Sequence, residues 1–262
     1  MMTALLTHLM GSTFCNGWMR ISTHCSVLQS QRLDWPEKEG VGKYSVLHMS
    51  LFPYRYAAVP EAARTGVPIM RALVLEDQND QRAREAKDEY LFGPDLLVAP
   101  VIDEGKSRTV YLPRGEWIDY WSSKRFAGRN VVIADAPLDV LPLYARAGAI
   151  LPKIPEDVMT LVPSNESGNT AIKSLDNRRI YELLPAGTDF KSTVITDFEG
   201  RPVTRSANSL EIKGSPAHVT LRWRLDSIKS VVLGGKPIDL RSDSNGAYVE
   251  FNHAALSTVS WK

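Results

Sequence analysis

The sequence predicts a mostly β chain with an N-terminal α/β portion, and two contrasting textures carry that reading. Up to about Gly66 the residues Leu47, Leu51, Tyr54, Ala58 and Ala62 recur at steps of three and four, an apolar stripe along one helical face. From Tyr90 onward, short runs of β-branched and aromatic residues are broken by Gly and Pro at the spacing of sandwich strands. The length of 262 residues suits one large domain or two to three small ones. Hydrophobic residues at 44% and charged residues at 23% exclude wholesale disorder.

The helical stripe carries its own punctuation. Pro53 and Pro60 should kink or break it, Gly66 suits a C-cap, and Pro68 prevents continuation. Residues 67–75 (VPIMRALVL) are continuously apolar enough to predict a strand covered on both faces. Residues 96–102 (LLVAPVI) predict a buried strand, and 108–112 alternate like a half-buried one before the turn at Pro113 to Gly115. Strands are further predicted at 116–121, 130–133, 141–144 and 149–151. A second β block follows Pro155, with strands expected at 159–162, 179–183, 192–196, 209–212, 218–223, 230–233, 247–251 and 258–261. Gly234-Gly235 reads as a hairpin turn and 164–170 as a polar loop.

Charge and cysteine content exclude several functions. Lys plus Arg total 31 against 30 for Asp plus Glu, a net charge of +1 without a basic run, so a nucleic-acid partner is not expected. No apolar stretch approaches the roughly 18 residues of a membrane span, and residues 1–11 lack the basic start and cleavage site of a signal peptide. Cys15 and Cys25 are too few for a disulfide framework or a zinc site and have no activating base beside them. Asp226, Asp239, Asp243 and Asn245 are oxygen-rich but too loosely spaced for a calcium loop, and read as turn formers. No metal or cofactor is therefore expected.

Several motifs are specific. YLFGPDLLVAPV at 90–101, VYLPRGEW at 110–117 and DYW at 119–121 closely resemble glycoside hydrolase family 31, the α-glucosidase and α-xylosidase group. So do APLD at 136–139 and PLYARAGAILP at 142–152; LFPYRY at 51–56 and TGVPIMR at 65–71 resemble the family's last barrel helix and eighth strand. The resemblance implies the last part of a (β/α)8 barrel followed by two antiparallel β-sandwich domains. The boundaries it implies are 1–76 for the barrel remnant, 77–153 for the proximal sandwich and 154–262 for the distal one.

The family hydrolyses α-glycosidic bonds with retention, one Asp attacking the anomeric carbon and another protonating the leaving oxygen from about 5 to 5.5 Å away. In the family both precede the last barrel helix, the nucleophile within a Trp-x-Asp-Met-Asn-like motif that this sequence does not contain. The resemblance therefore implies a chain that begins after both carboxylates and is inactive alone, its partners being the missing barrel part and the carbohydrate bound by the whole enzyme. Aligning Trp18-Met19 with the family's Trp-containing helix puts Gln29 and Gln31 where the family has a sugar-contacting Arg and His, with His24 the nearest histidine. Glutamine keeps a hydrogen bond to a sugar hydroxyl and loses the charge. Arg20, His24 and Arg32 permit other registers, and ordinary polar positions at helix ends are the competing reading of all three candidates.

The remaining candidates have plain alternatives. Glu76 and Asp77 follow the presumed eighth strand, but adjacent residues point to opposite sides and read as solvated loop carboxylates. A weak hydrolase recruiting Asp34, Glu37, Glu76 or Asp77 is the least favoured possibility. Trp117 and Trp121 would share a strand face opposite Tyr120 and could stack on a pyranose, as in a carbohydrate-binding or scaffold module; burial in a sandwich core is the better expectation. An incomplete barrel should leave Leu51, Tyr54, Ile69, Leu73 and Leu75 exposed.

Overall fold

The computed structural model describes residues 38–102, 106–137, 139–158, 161, 178–197, 199–224 and 228–262. Among the described residues the α-helices precede Ala86: α1 (Lys38–Ser50), α2 (Phe52–Ala57), α3 (Val59–Thr65) and the single-turn α4 (Gln81–Glu85). Strands make up most of the rest, so the chain is mostly β. No described helix is long and apolar enough to cross a membrane.

The two prolines act as their chemistry dictates. Pro53 and Pro60 stand in the first turns of α2 and α3, where a missing N–H is harmless, and divide the apolar stripe into separate helices. Leu47, Leu51, Tyr54 and Ala58 are buried. Gly66 closes α3 in the left-handed region at φ 76°, its amide donating to the Ala62 carbonyl at 2.9 Å.

The described residues form two compact units, one containing the chain up to His48 with Val67–Tyr144, the other Met49–Gly66 with Ala145–Lys262. The first contains a six-stranded sheet in the order β1 (Met70–Ala72), β2 (Tyr90–Phe92), β3 (Leu96–Val98), β8 (Leu143–Arg146), β5 (Glu116–Asp119), β6 (Arg125–Ala127). A two-stranded sheet pairs β4 (Ser107–Leu112) with β7 (Asn130–Asp135). Both sheets feed one core: Leu91 and Leu97 from one, Val110, Leu112 and Val132 from the other, with Trp117 and Leu73.

In the second unit, a five-stranded sheet runs β17 (Arg241–Asp243), β18 (Gly246–His253), β14 (Ala217–Trp223), β10 (Arg178–Leu183), β9 (Ile150–Lys153). A six-stranded sheet runs β11 (Ser192–Thr196), β12 (Pro202–Ser206), β13 (Ser209–Lys213), β19 (Leu256–Trp261), β15 (Val231–Leu233), β16 (Lys236–Ile238). Tyr181, Leu221, Trp223 and Val249 of the first sheet share a core with Val203, Leu210, Ile212, Val259 and Trp261 of the second. Burial alternates along β14 and β19, as strands with one apolar face require.

Three differences from expectation have physical causes. The strand expected over 67–75 is only Met70–Ala72, because Leu73–Leu75 turns into a 3-10 helix that drops Leu73 into the core and leaves Leu75 exposed. Leu51, Tyr54 and Leu73, expected to be exposed, are buried, and only Leu75 of the exposed set meets that expectation while Ile69 is half-buried. β10 pairs with β14 in parallel, unlike the antiparallel arrangement expected throughout; the chain between them passes through β11, β12 and β13, the long crossover a parallel pair needs. The strand expected at 159–162 and the loop at 164–170 lie largely outside the described residues.

The Gly234-Gly235 hairpin is confirmed between β15 and β16, both glycines having positive φ (54° and 85°), the geometry of a type I′ turn. Gly148 is held more tightly. At φ 81° its missing Cβ would lie 2.3 Å from the Phe190 ring. Gly148→Ala is therefore expected to cost about 3 kcal/mol, combining backbone strain with overpacking. Gly234→Ala, with nothing within 4 Å, should cost about 1 kcal/mol. Urea midpoints of the two variants check the ranking.

Candidate functional site

The first unit has a cleft built from several charged groups, about 420 Å³ in volume, bordered by Arg82, Lys87, Glu89, Arg108, Tyr111 and Val131. Asp80 caps the start of α4, its Oδ1 accepting from the amides of Arg82 (3.0 Å) and Ala83 (3.3 Å). Its Oδ2 accepts the Tyr111 hydroxyl. That bond holds the Asp80 carboxyl below its ordinary range, while burial, then Asp80, pushes the Tyr111 phenol up to about 12.

Glu89 lies immediately before β2 and is 6% exposed. Its two oxygens accept from the Tyr111 amide at 3.0 and 3.2 Å, and the Arg108 guanidinium stands 3.6 Å away. Burial outweighs both and pushes its carboxyl up to about 7, with Asp88 adding a smaller push in the same direction. Arg108 is anchored to the carbonyls of Asp88 (2.9 Å) and Pro100. These carboxyls thus hold backbone and helix start in place: Asp80 and Glu89 are both engaged by Tyr111. No cluster of three or more metal-ligating side chains occurs among the described residues.

The sequence candidates fall elsewhere. Gln29, Gln31 and His24 lie outside the described residues, as do Asp34, Glu37, Asp226 and both cysteines. Glu76 is exposed at the end of the 3-10 turn rather than of a strand. Asp77 pairs with Arg129 at 3.3 Å and accepts from the Asn79 amide, a loop carboxylate as expected. Asp243 accepts two bonds from Arg222, at 2.5 and 2.9 Å, and one from the Asn245 amide; it is a turn former.

Burial was the better expectation for the aromatic trio. Trp117 is 0% exposed, with its indole N–H donating to the Pro113 carbonyl at 2.8 Å, and Tyr120 is 3% exposed. β5 ends at Asp119, so Trp121 leaves the strand and does not share a face with Trp117. Its N–H donates to the Leu141 carbonyl at 2.6 Å, and its ring meets Tyr44 and Tyr120 edge-on. The Lys43 ammonium covers the ring 3.9 Å from its centroid.

The cleft around Glu89 was not singled out from the sequence. Its one signal is an acidic pair, Asp88-Glu89, directly before an apolar strand, where a carboxyl is carried inward with the strand it precedes.

Among the described residues the chain is β-rich, and the carboxylates of Asp80 and Glu89 secure a helix start and a strand amide. Residues 66–151 match the profile of the Glycosyl hydrolase family 31 C-terminal domain, and the chain resembles the C-terminal portion of family 31 proteins. It is 36% identical over 149 residues to an isomaltosyltransferase of Sporosarcina globispora, covering 56% of this chain and 13% of that one. It is 35% identical over 143 residues to an alpha-glucosidase of Saccharolobus solfataricus, covering 55% of this chain and 19% of that protein. The same organism's alpha-xylosidase is 32% identical over 152 residues, with shares of 54% and 21%. The chain therefore spans about a fifth or less of these relatives' length.

Solved structures agree on the fold. The Flavobacterium johnsoniae GH31 dextranase complexed with glucose superposes with a TM-score of 0.75 at 22% identity, covering 94% of this chain and 37% of that one. The cycloalternan-forming enzyme from Listeria monocytogenes, in complex with a pentasaccharide substrate, gives 0.77 at 24% identity, with shares of 97% and 28%.

The raised Glu89 carboxyl has a measurable consequence. The folded state holds this proton more tightly than the unfolded chain, so its stabilising effect is complete below the unfolded value of about 4.5 and disappears as pH rises through about 7. Over that window the protein should lose stability on the order of 3 kcal/mol relative to Glu89→Gln. Urea denaturation of both proteins from pH 4.5 to 7.5 checks the difference in slope.

Proposed function

We propose that this chain is the C-terminal part of a retaining glycoside hydrolase acting on α-glycosidic bonds, and that it supplies scaffold without the two catalytic carboxylates. The observation that carries this is the family 31 C-terminal match over 66–151, in a chain whose clefted unit commits its carboxyls to backbone and phenol. On this reading residues 1–76 are the end of a (β/α)8 barrel, 77–153 a proximal sandwich and 154–262 a distal one. Sheets that feed a common core in each unit support the sandwich assignments. The helices between Lys38 and Thr65 support the barrel assignment.

Gln29, Gln31 and His24 would reach the sugar in the assembled enzyme, where the rest of the barrel is the partner and a carbohydrate the substrate. Retention needs an attacking carboxylate and a proton-donating one about 5 to 5.5 Å apart across the bond. Glu89 fulfils neither role here, because the Tyr111 amide occupies both its oxygens and the group is buried.

Two measurements on the purified chain test this. Incubation with 4-nitrophenyl α-glucoside and α-xyloside should release no nitrophenol above the buffer rate. Turnover that vanishes in Asp77→Asn or Glu89→Gln would overturn the assignment. Calorimetric titration with maltose, isomaltose and xylobiose should give no binding heat at millimolar sugar. Heat that disappears in Trp121→Ala would instead make the chain a carbohydrate-binding module.

A further inference from the structure

One end of the second unit gathers charges that the proposed function leaves unused. The β11–β12, β13–β14 and β18–β19 turns meet there. Arg201 joins the first two: its Nε donates to the Ser215 carbonyl at 2.9 Å, and Nη1 lies 3.1 Å from Asp197 Oδ2. Asp197 Oδ1 accepts from the amides of Glu199 (3.0 Å) and Arg201 (2.9 Å), while Oδ2 also accepts the Tyr181 hydroxyl at 2.8 Å. Glu199 pairs with both Arg201 and Arg179. Two carboxylates thus balance two guanidinium groups. The third turn is tied in by the Gly214 amide, which donates to the Ala255 carbonyl at 3.0 Å.

His253, the last residue of β18, is 2% exposed and pairs with Ala217, next to the Ser215 and Pro216 carbonyls that Arg201 reaches. Its Nδ1 lies 2.9 Å from Ser257 Oγ on β19 of the other sheet, and its buried Nε2 makes no hydrogen bond. The charged groups whose field reaches the ring are Arg201 and, more weakly, Asp197; the Gly214 backbone also favours the protonated form. Burial first, then Arg201, holds the imidazole below its ordinary value. Asp197 is already engaged by Tyr181, Arg201 and two amides, so an imidazolium here would have no carboxylate of its own.

We propose that His253 is an acid-responsive latch: its neutral ring lets the three turns close, and protonation sets a second, uncompensated cation beside Arg201 and loosens them. The part that gives is the β18–β19 connection, which carries the chain from one sheet to the other and is tied to the β13–β14 turn by the Gly214–Ala255 bond. Since the folded value lies below the unfolded one, the unfolded chain takes up the proton first. Stability is present above the ordinary histidine value of about 6.5 and is lost as pH falls below it.

The test uses the full chain, with thermal melts and backbone hydrogen exchange between pH 7.5 and 5. Relative to His253→Gln, the unsubstituted protein should lose melting temperature as pH falls. Peptides spanning 197–201 and 213–216 should exchange faster at pH 5 after correction for the intrinsic rate, and that acceleration should vanish in His253→Gln. His218→Gln is the control, because His218 bonds Asn252 in an exposed pair across β14 and β18 of the same sheet and should leave the slope unchanged. Proton NMR of the unsubstituted protein gives a readout that needs no variant: the His253 C2 proton should titrate below the ordinary histidine value of about 6.5. Equal pH slopes with and without His253, or a His253 titration at or above the ordinary value, would overturn the latch.

Discussion

Each sheet in this protein has one face that must leave water, and pairing those faces is the constraint from which the rest follows. In the second unit the pairing is centred on Trp223 and Trp261, on β14 and β19, whose rings meet at 5.2 Å with an interplanar angle of 69°. Edge-on aromatic contact adds about 0.5–1.5 kcal/mol to the area that two such side chains bury. With core positions taken by apolar residues at every second place, hydrogen-bonding groups are displaced to strand ends and turns. That is where Asp197, Arg201, Asp243 and His253 lie.

The charges that do enter the interior are matched locally. Lys153 and Glu182, on the paired strands β9 and β10, meet at 2.6 Å with both side chains buried, and Arg224 approaches the other Glu182 oxygen at 3.5 Å. Arg205, 1% exposed, donates to the carbonyls of Ala149 and Leu184 and lies over the Phe190 ring. Losing one member of such a pair leaves a buried charge uncompensated, which is costlier than never having placed the pair there. Glu89 and His253 differ because each is a titratable group whose burial opposes its own ionisation. Their effects on stability have opposite signs with pH, and they occupy different units, so a global pH profile would partly cancel them.

Strands with clear alternation or continuous apolar runs were legible in the sequence: β4, β7, β10, β13, β14, β18 and β19 lie where the pattern puts them. β12 was not, because Pro202–Ser206 buries only Val203 and Arg205, and a buried arginine satisfied by carbonyls looks polar in sequence. β6, β16 and β17 are three residues each, too short for a period of two to register. The 67–75 strand was over-read because continuous apolarity does not separate a buried strand from a strand that turns into a buried 3-10 segment. The Glu89 cleft was illegible for a related reason: its lining comes from α4, the start of β2, β4 and β7, which only the fold brings together. Two of the three aromatics were legible as core: Trp117 on β5 and Tyr120 just beyond it are buried, while Trp121 is half-buried.

The contrast between anchoring and reacting carboxylates gives the scaffold assignment its physical content. A carboxylate that attacks carbon must keep a lone pair directed into a cavity, and one that protonates a leaving group must exchange its proton with solvent between turnovers. Asp80 directs one oxygen at two helix amides and the other at a phenol; Asp197 likewise divides its oxygens between turn amides, a phenol and a guanidinium. In both cases the same bonds that make the residue a good fastener engage both of its oxygens. Turns fixed this way gain rigidity, whereas attack on carbon and proton transfer need a carboxyl that is not so engaged.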